Sequence, residues 1–532
     1  MDTDQFREFG KAAVDYLAEY TDTLRDRPVI PNVEPGYLAR LVPDEAPQEP
    51  ESWKEVLEDV ERVIMPGMTH WNSPQFHAYF PSANSYPSVV AEMLSAGIGC
   101  LGFSWMTSPV CTELEVTMMN WLGKMLGLPQ EFLNCSKGPG GGVIQSSASV
   151  ATFVCLLAAK ERTVRRVMEL HPDWDEADIK AKLIAYTSDQ ANSSVEKAGL
   201  LGSMPMRHLP SDDKCRLRGS TLLEAIERDE KDGLIPCYVV ATLGTTGTCS
   251  HDCLDELGPI CNEKNIWLHV DAAYGGAAFV CPEFRHLMSG VELADSFDFN
   301  PHKWLLVSFD CSAMWVKDSK YLVEAFNVDR IYLAHEKEGL LPDYRHWQIP
   351  LGRRFRALKL WFVMRMYGVQ GLQNYIRHTV GLAKQFEGYI RSDERFEIVT
   401  EVTMALVCFR MKGNNSLTRE LLDKLLSRRK IYVIAATYRG RLFIRFVVCS
   451  RLCETRDMEF AWKEISEQAT DILNQKTELM SDEENIIDQL SDGGDNKIIE
   501  LIESGKEIAN IANMIEELKI EHEVKEKVAK IS

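Results

Sequence analysis

Residues 294–307 read ADSFDFNPHKWLLV, a strand-like run, apolar at alternate positions, that opens into an Asn-Pro-His-Lys-Trp turn. Lys303 is the residue that needs a reason. If the run is buried, Lys303 loses water between His302 and Trp304, and desolvation lowers an amine's pKa until it can act as a nucleophile or Schiff-base former. A lysine met alone is more often a surface residue whose stem lies along apolar neighbours, so the sequence on either side has to decide.

Upstream, residues 266–274 read IWLHVDAAY, a second apolar strand pattern that ends at Asp271 and continues into Ala272 and Ala273. A carboxylate at the carboxyl end of a buried strand, with only small side chains beside it, suits a flat heterocycle whose ring nitrogen must stay protonated. Pyridoxal phosphate has that need, since an aspartate at its ring nitrogen raises the nitrogen's pKa and makes the ring an electron sink. Further upstream, residues 137–160 (KGPGGGVIQSSASVATFVCLLAAK) give a glycine-rich turn, a short strand and a long apolar helix that starts near Ser147, Ala148 and Ser149. Amides and hydroxyls at such a start can bind a phosphate at the positive end of the helix dipole. The run is no P-loop, because no Lys-Ser/Thr follows the glycines.

From 183 to 310 the pattern alternates between strand and helix: LIAYTS, SSVEKAGLLG, PCYVVATLG, a helix near 255–264, IWLHVDAAY and DSFDFNPH. Strands joined by helical crossovers predict an α/β fold with a mainly parallel sheet, whose ligands sit beyond the carboxyl ends of the strands. Asn192, Thr246, Asp271 and Lys303 all follow such strands, which makes those four ends one expected site. From about 357 to 475 helices and short strands alternate and predict a smaller α+β domain.

Composition narrows the function without naming it. With 532 residues the chain is expected to hold more than one domain. A formal charge of −20 argues against nucleic acid or an anionic membrane as partner. The fourteen cysteines contain no C-x-x-C pair and are expected to be reduced thiols, with no metal site. The first residues, MDTDQFREFGKAAVDYLAEY, read as an amphipathic helix, and no apolar run reaches the length of a membrane span, so a cytoplasmic location is expected.

Nine stretches together are similar to one family: PNVEPGYL, HWNSPQFHAYFP, the glycine-rich run before Gln145, TSDQAN, ATLGTTGT, HVDAAYGG, NPHKWLL, FDCSAMWVK and DYRHWQIPLGRRFRALK. The chain resembles the group II pyridoxal-phosphate decarboxylases, in their aromatic-L-amino-acid branch. The resemblance implies the pyridoxal-phosphate-dependent transferase fold (aspartate aminotransferase-like, fold type I) and a homodimer. It divides residues 1–475 into an amino-terminal segment that crosses to a second subunit (1–85), a large cofactor domain (86–356) and a small domain (357–475); the resemblance stops there, and 476–532 reads as an acidic helical tail. It assigns the cofactor to Ala148, Ser149, Thr246, Asp271, Ala273, Asn300, His302 and Lys303. The aromatic substrate falls to Trp71, Tyr79, Phe80, Ser82, Phe103 and Asn192, with serine at 82 where the vertebrate enzymes carry threonine. Tyr332 is implied as the acid that protonates the substrate carbon.

One position departs from the decarboxylases of this branch. They carry a histidine against the cofactor ring in the TSDQA-type motif, where this chain has Asn192. An asparagine can hydrogen-bond a carboxylate but cannot titrate. Loss of one positioned acid-base group is worth roughly 10² to 10⁴ in rate, or about 3 to 5 kcal/mol. That can divert the carbanion left by decarboxylation from protonation, which gives an amine, to reaction with dioxygen, which gives an aldehyde. Asparagine here resembles the insect 3,4-dihydroxyphenylacetaldehyde synthases. The retained tyrosine favours the alternative, a simple decarboxylase.

Overall fold

The computed structural model describes residues 1–328 and 341–491, with side chains described as far as 478. The chain divides after Ile465 into two units, the second beginning within helix Thr455–Ser491. Both sheets lie in the first unit. Among the described residues no helix is long and apolar enough to cross a membrane. All fourteen cysteines are free.

Seven strands form the large sheet: β1 (Gly141–Gln145), β2 (Leu183–Ser188), β3 (Met206–Leu209), β4 (Ile235–Thr242), β5 (Trp267–Asp271), β6 (Ser296–Phe299) and β7 (Ser312–Val316), in the order β1-β7-β6-β5-β4-β2-β3. Strands β3, β2, β4, β5 and β6 pair in parallel, and β7 pairs antiparallel with both β6 and β1. The sheet is therefore mainly parallel, as the alternating pattern predicts. Every residue of β2, β5 and β6 is buried. Burial on both faces is why these strands read as nearly continuous apolar runs. Helix Ala148–Leu170 covers one face, packing Ala151, Val154, Cys155 and Ala158 into a core shared with Val240, Trp267 and Met314.

The loops beyond β4 and β5 press together where only glycine fits. Gly244 has φ +90°, and a Cβ on Gly275 would stand 2.4 Å from the Leu243 carbonyl oxygen. Side chains at either position would push the Thr246 loop off the Asp271 loop.

A second sheet of four antiparallel strands, β8 (Phe396–Ile398), β9 (Leu406–Met411), β10 (Ile434–Tyr438) and β11 (Arg441–Val447), runs β10-β11-β9-β8. It matches the expected smaller α+β region. Near the amino terminus, helix Thr3–Asp22 starts on a capping box built by Asp2 and Gln5 and buries none of its residues. Helix Trp53–Asp59 follows, and Val60–Ile64 continues it as a wider turn. Tyr332 and the tail beyond 491 lie outside the described residues.

Candidate active site

Four neighbouring strands deliver the four predicted strand-end residues. Asn192 follows β2, Thr246 follows β4, Asp271 closes β5 and Lys303 follows β6 in the short helix Pro301–Trp304. Trp304 anchors that helix by donating its indole N–H to Thr379 Oγ1 at 3.1 Å. Leu306, two residues on, adopts φ 59°, a left-handed conformation that ends the short helix. The Ala83 N–H donates to the Lys303 carbonyl at 3.1 Å and so ties the segment after Phe80 to the lysine.

Among the described residues the Lys303 amine has no anionic partner in contact. Burial pushes its pKa below the ordinary amine range, and the Asp271 and Asp298 carboxyl groups oppose that shift. Arg445 pushes it down further. Its ammonium nitrogen stands 5.7 Å from the centre of the Phe80 ring. Phe80 in turn stacks on Tyr274 at 3.7 Å, and Tyr274 stacks on Trp304 at 4.7 Å. These three rings form one wall of the site.

Asp271 is buried, and its Oδ1 accepts the Ala273 N–H at 2.9 Å. His302 is buried with Nδ1 held 2.7 Å from the Cys311 carbonyl oxygen. Burial and the Lys303 charge push its pKa down to about 4, so it is a neutral imidazole at physiological pH. Asn192 caps helix Ser193–Gly202, accepting the Ser194 N–H at 3.0 Å on Oδ1 and donating from Nδ2 to Thr246 Oγ1 at 2.9 Å. Both polar atoms of Asn192 are therefore already held.

The fit to pyridoxal phosphate rests on three observations. Helix Ala148–Leu170 is long, its N-cap Ser147 accepts the Val150 N–H, and among the described hydrogen bonds none takes the Ala148 or Ser149 amides, which are free for a phosphate. Asn300 is buried, and its Oδ1 has no hydrogen-bond partner among the described residues. Ala273 leaves room beside Asp271 that a larger side chain would fill.

Of the predicted aromatic residues, Phe80 stands beside the lysine. Tyr79, at the unusual φ of 54°, hydrogen-bonds Tyr432 through its hydroxyl at 3.1 Å. Trp71 stacks on Phe76 at 4.6 Å and is largely exposed. Ser82 and Phe103 are partly buried, and no described contact joins Trp71 or Phe103 to Lys303 within this chain.

Three residues were not singled out from sequence. Arg445, on β11, is almost fully buried; it donates to the Gly247 carbonyl at 3.2 Å and the Tyr79 carbonyl at 3.3 Å, with its guanidinium 5.1 Å from the Phe80 ring. Its Nη1 has no hydrogen-bond partner among the described residues. The signal was an arginine inside the apolar run LFIRFVVC. Asp298 and His269 lie behind Asp271 on β6 and β5, and their signal was a polar residue at alternate positions of two buried strands.

Comparison with known proteins agrees with this geometry. The pyridoxal-dependent decarboxylase conserved domain matches residues 35–412. An aromatic-L-amino-acid decarboxylase of Manduca sexta is 59% identical over 476 residues, covering 90% of this chain and 94% of that one. A 3,4-dihydroxyphenylacetaldehyde synthase of Aedes aegypti is 54% identical over 475 residues, covering 89% and 91%. Among solved structures, Oryza sativa TDC with PLP and tryptamine superposes with a TM-score of 0.86 at 37% identity, covering 89% of this chain and 99% of that one. With a lysine, an aspartate and a free helix start gathered at the ends of one parallel sheet, the chain belongs to the pyridoxal-dependent decarboxylases, enzymes that work with pyridoxal phosphate.

Proposed function

We propose that this enzyme decarboxylates an aromatic L-amino acid and oxidatively deaminates it. In sum, one amino acid, one dioxygen and one water become one arylacetaldehyde, carbon dioxide, ammonia and hydrogen peroxide. Pyridoxal phosphate supplies an electron sink for the pair released when the carboxylate departs. Lys303 would hold the cofactor, its buried amine kept ready as a nucleophile. Asp271 would keep a proton on the ring nitrogen, and the Ala148 and Ser149 amides, Asn300 and His302 would surround the phosphate. Arg445 would receive the substrate carboxylate on its unpaired Nη1, with Phe80 against the aromatic ring.

The observation that favours the aldehyde is the state of Asn192. Its amide caps a helix and binds Thr246, and an amide in that position gives up no proton. Without an acid there, protonation of the substrate carbon slows and dioxygen competes. The Aedes aegypti relative is named for an aldehyde synthase, while the Manduca sexta relative is named for a decarboxylase, so the family alone admits both outcomes. Incubating purified enzyme with L-dopa and measuring carbon dioxide, ammonia, peroxide and amine together tests the reading. Amine equal to carbon dioxide, with no peroxide, would replace it with the simple decarboxylase.

A homodimer completes the proposal, with 1–85 as the segment that crosses between subunits, 86–356 as the cofactor domain and 357–475 as the small domain. Helix Tyr86–Ile98 leaves Tyr86, Val90, Met93, Leu94 and Ile98 exposed, and helix Thr3–Asp22 leaves Phe6, Val14 and Leu17 exposed. Apolar area of that extent on neighbouring helices supports burial against a second copy.

A further inference from the structure

Strand β1 is an edge of the large sheet, paired among the described strands with β7 alone, yet all of its residues are buried. A buried edge leaves backbone N–H and C=O groups that water cannot reach, and each needs a partner from elsewhere. Side chains supply those partners. The Gly142 N–H donates to Asn134 Oδ1 at 2.8 Å, and the Ile144 N–H donates to Glu115 Oε1 at 2.7 Å. The Gly142 carbonyl accepts the Tyr344 hydroxyl at 3.0 Å, and the Ile144 carbonyl lies 3.5 Å from Arg353 Nη2.

Glu115 and Arg353 also hold each other. They are 4% and 3% exposed, and Glu115 Oε1 accepts the same Arg353 Nη2 that faces Ile144. The Arg353 guanidinium lies 4.8 Å from the centre of the Tyr344 ring, and its Nη1 donates to Gln348 Oε1. One residue past Ile144, the Gln145 amide donates to the Trp347 carbonyl at 2.7 Å. Helix Pro109–Leu126 and the segment 344–353 thus stand in for the strand that β1 lacks. A buried ion pair is a weak source of stability, because apolar groups of the same volume often serve as well. What apolar groups cannot copy is the grip on both polar backbone groups of a single residue, Ile144. Strand β1 ends at Gln145, and helix Ala148–Leu170 starts directly after it with the free Ala148 and Ser149 amides.

We propose that Glu115 and Arg353 are positioning residues for the cofactor phosphate: by holding Ile144 they set where the end of β1 delivers the Ala148 and Ser149 amides. The proposal rests on the assignment of those amides to the phosphate. Neither side chain touches the cofactor, so their effect falls on the phosphate's share of binding and on no other part of it.

The test compares pyridoxal phosphate with pyridoxal, which lacks only the phosphate. Full-length native and Glu115→Gln proteins are stripped of cofactor and reloaded, and Kd for each ligand is read from absorbance. Glutamine keeps the volume and an acceptor for the Ile144 N–H but loses the charge that holds Arg353. The ratio of the pyridoxal Kd to the pyridoxal phosphate Kd should fall about tenfold, the low end of what a charge-assisted hydrogen bond is worth. A merely structural pair would weaken both ligands alike and leave the ratio in place. A ratio that does not fall by at least about threefold, less than one ordinary hydrogen bond, overturns the proposal. If Glu115→Gln does not fold, Glu115→Gln combined with Arg353→Met leaves no unpaired charge in the interior and is read against the same threshold. Ala148→Pro separates the two assignments, because proline suits the first residue of a helix and removes one amide alone. If it leaves the ratio at the native value while Glu115→Gln lowers it, the pair positions the phosphate as stated and the role of the Ala148 amide is what falls.

Discussion

Replacing Asn192 with histidine probes the branch between amine and aldehyde, and the structure sets both sides of the expected effect. On the stability side, Asn192→His removes the cap on Ser194 N–H and the hydrogen bond to Thr246 Oγ1. A lost N-cap costs about 1 kcal/mol and a lost side-chain hydrogen bond about another, so the variant should unfold at lower denaturant, by roughly 2 kcal/mol. On the chemical side, the change places a titratable ring at the end of β2, beside Thr246 and in line with the Asp271 and Lys303 strand ends. A positioned acid-base group is worth about 10² to 10⁴ in a proton transfer. Even the lower figure is enough to turn a product mixture dominated by aldehyde into one dominated by amine. The assay is amine and peroxide, each divided by carbon dioxide, for native and variant enzyme at one oxygen tension, with cofactor content read from absorbance. Cofactor content and carbon dioxide should hold while amine rises and peroxide falls. An unchanged ratio of amine to peroxide in a variant that is folded and fully loaded would refute the assignment of the branch to position 192.

Lys303→Ala should lose the lysine-linked absorbance of the bound cofactor, with turnover falling on the order of 10³ to 10⁶, as for loss of other covalent catalysts. Native turnover in single-turnover assays would remove Lys303 from the reaction. Arg445→Met keeps the volume and removes the charge, so kcat/KM for the amino acid should fall roughly 10- to 150-fold, the worth of one charged hydrogen bond, mostly through KM. Acid should unfold the protein early. Burial holds the His77, His251 and His302 imidazoles down to about 4, whereas a histidine in the unfolded chain titrates near 6.5. Above that value neither state binds these protons. As pH falls from there toward 4 the unfolded chain takes up as many as three that the folded chain refuses, each contributing about 1.4 kcal/mol per pH unit. Urea midpoints measured from neutrality downward should therefore drop over that window.

The large sheet was legible because its strands are buried on both faces, which writes them as uninterrupted apolar runs such as LIAYTS, with the chemistry placed where each run stops. Asn192, Thr246, Asp271 and Lys303 were readable for that reason. Arg445 was not. It comes from the second sheet, more than a hundred residues after Lys303, and only the packing of β11 against the Tyr79 and Gly247 loops makes a core arginine into a site residue. Asp298 sits inside the very stretch that revealed Lys303, yet its place beside Asp271 depends on strand register. Shift β6 by one residue against β5 and the two carboxyl groups would lie on opposite faces. The capping role of Asn192 was equally hidden, since the sequence shows an amide near a helix start but not which atoms it satisfies.

The same distinction explains why position 192 can change the outcome without dismantling the machinery. Lys303, Asp271 and Asp298 are fixed by the pairing of β5 with β6 and by the Trp304 anchor, and none of them touches Asn192 through a described hydrogen bond. On the proposed reading, Lys303 and Asp271 decide whether the cofactor is held and whether the carboxylate leaves. Asn192 is joined instead to the Thr246 loop and to the first turn of helix Ser193–Gly202, a surface-side element with four buried residues among its ten. A substitution there perturbs one cap and one hydrogen bond, a cost of about 2 kcal/mol that a large domain tolerates, while it adds or removes the acid that acts after carbon dioxide departs. On the proposed reading, decarboxylation and the fate of its product are separable because the residues assigned to them follow different strands.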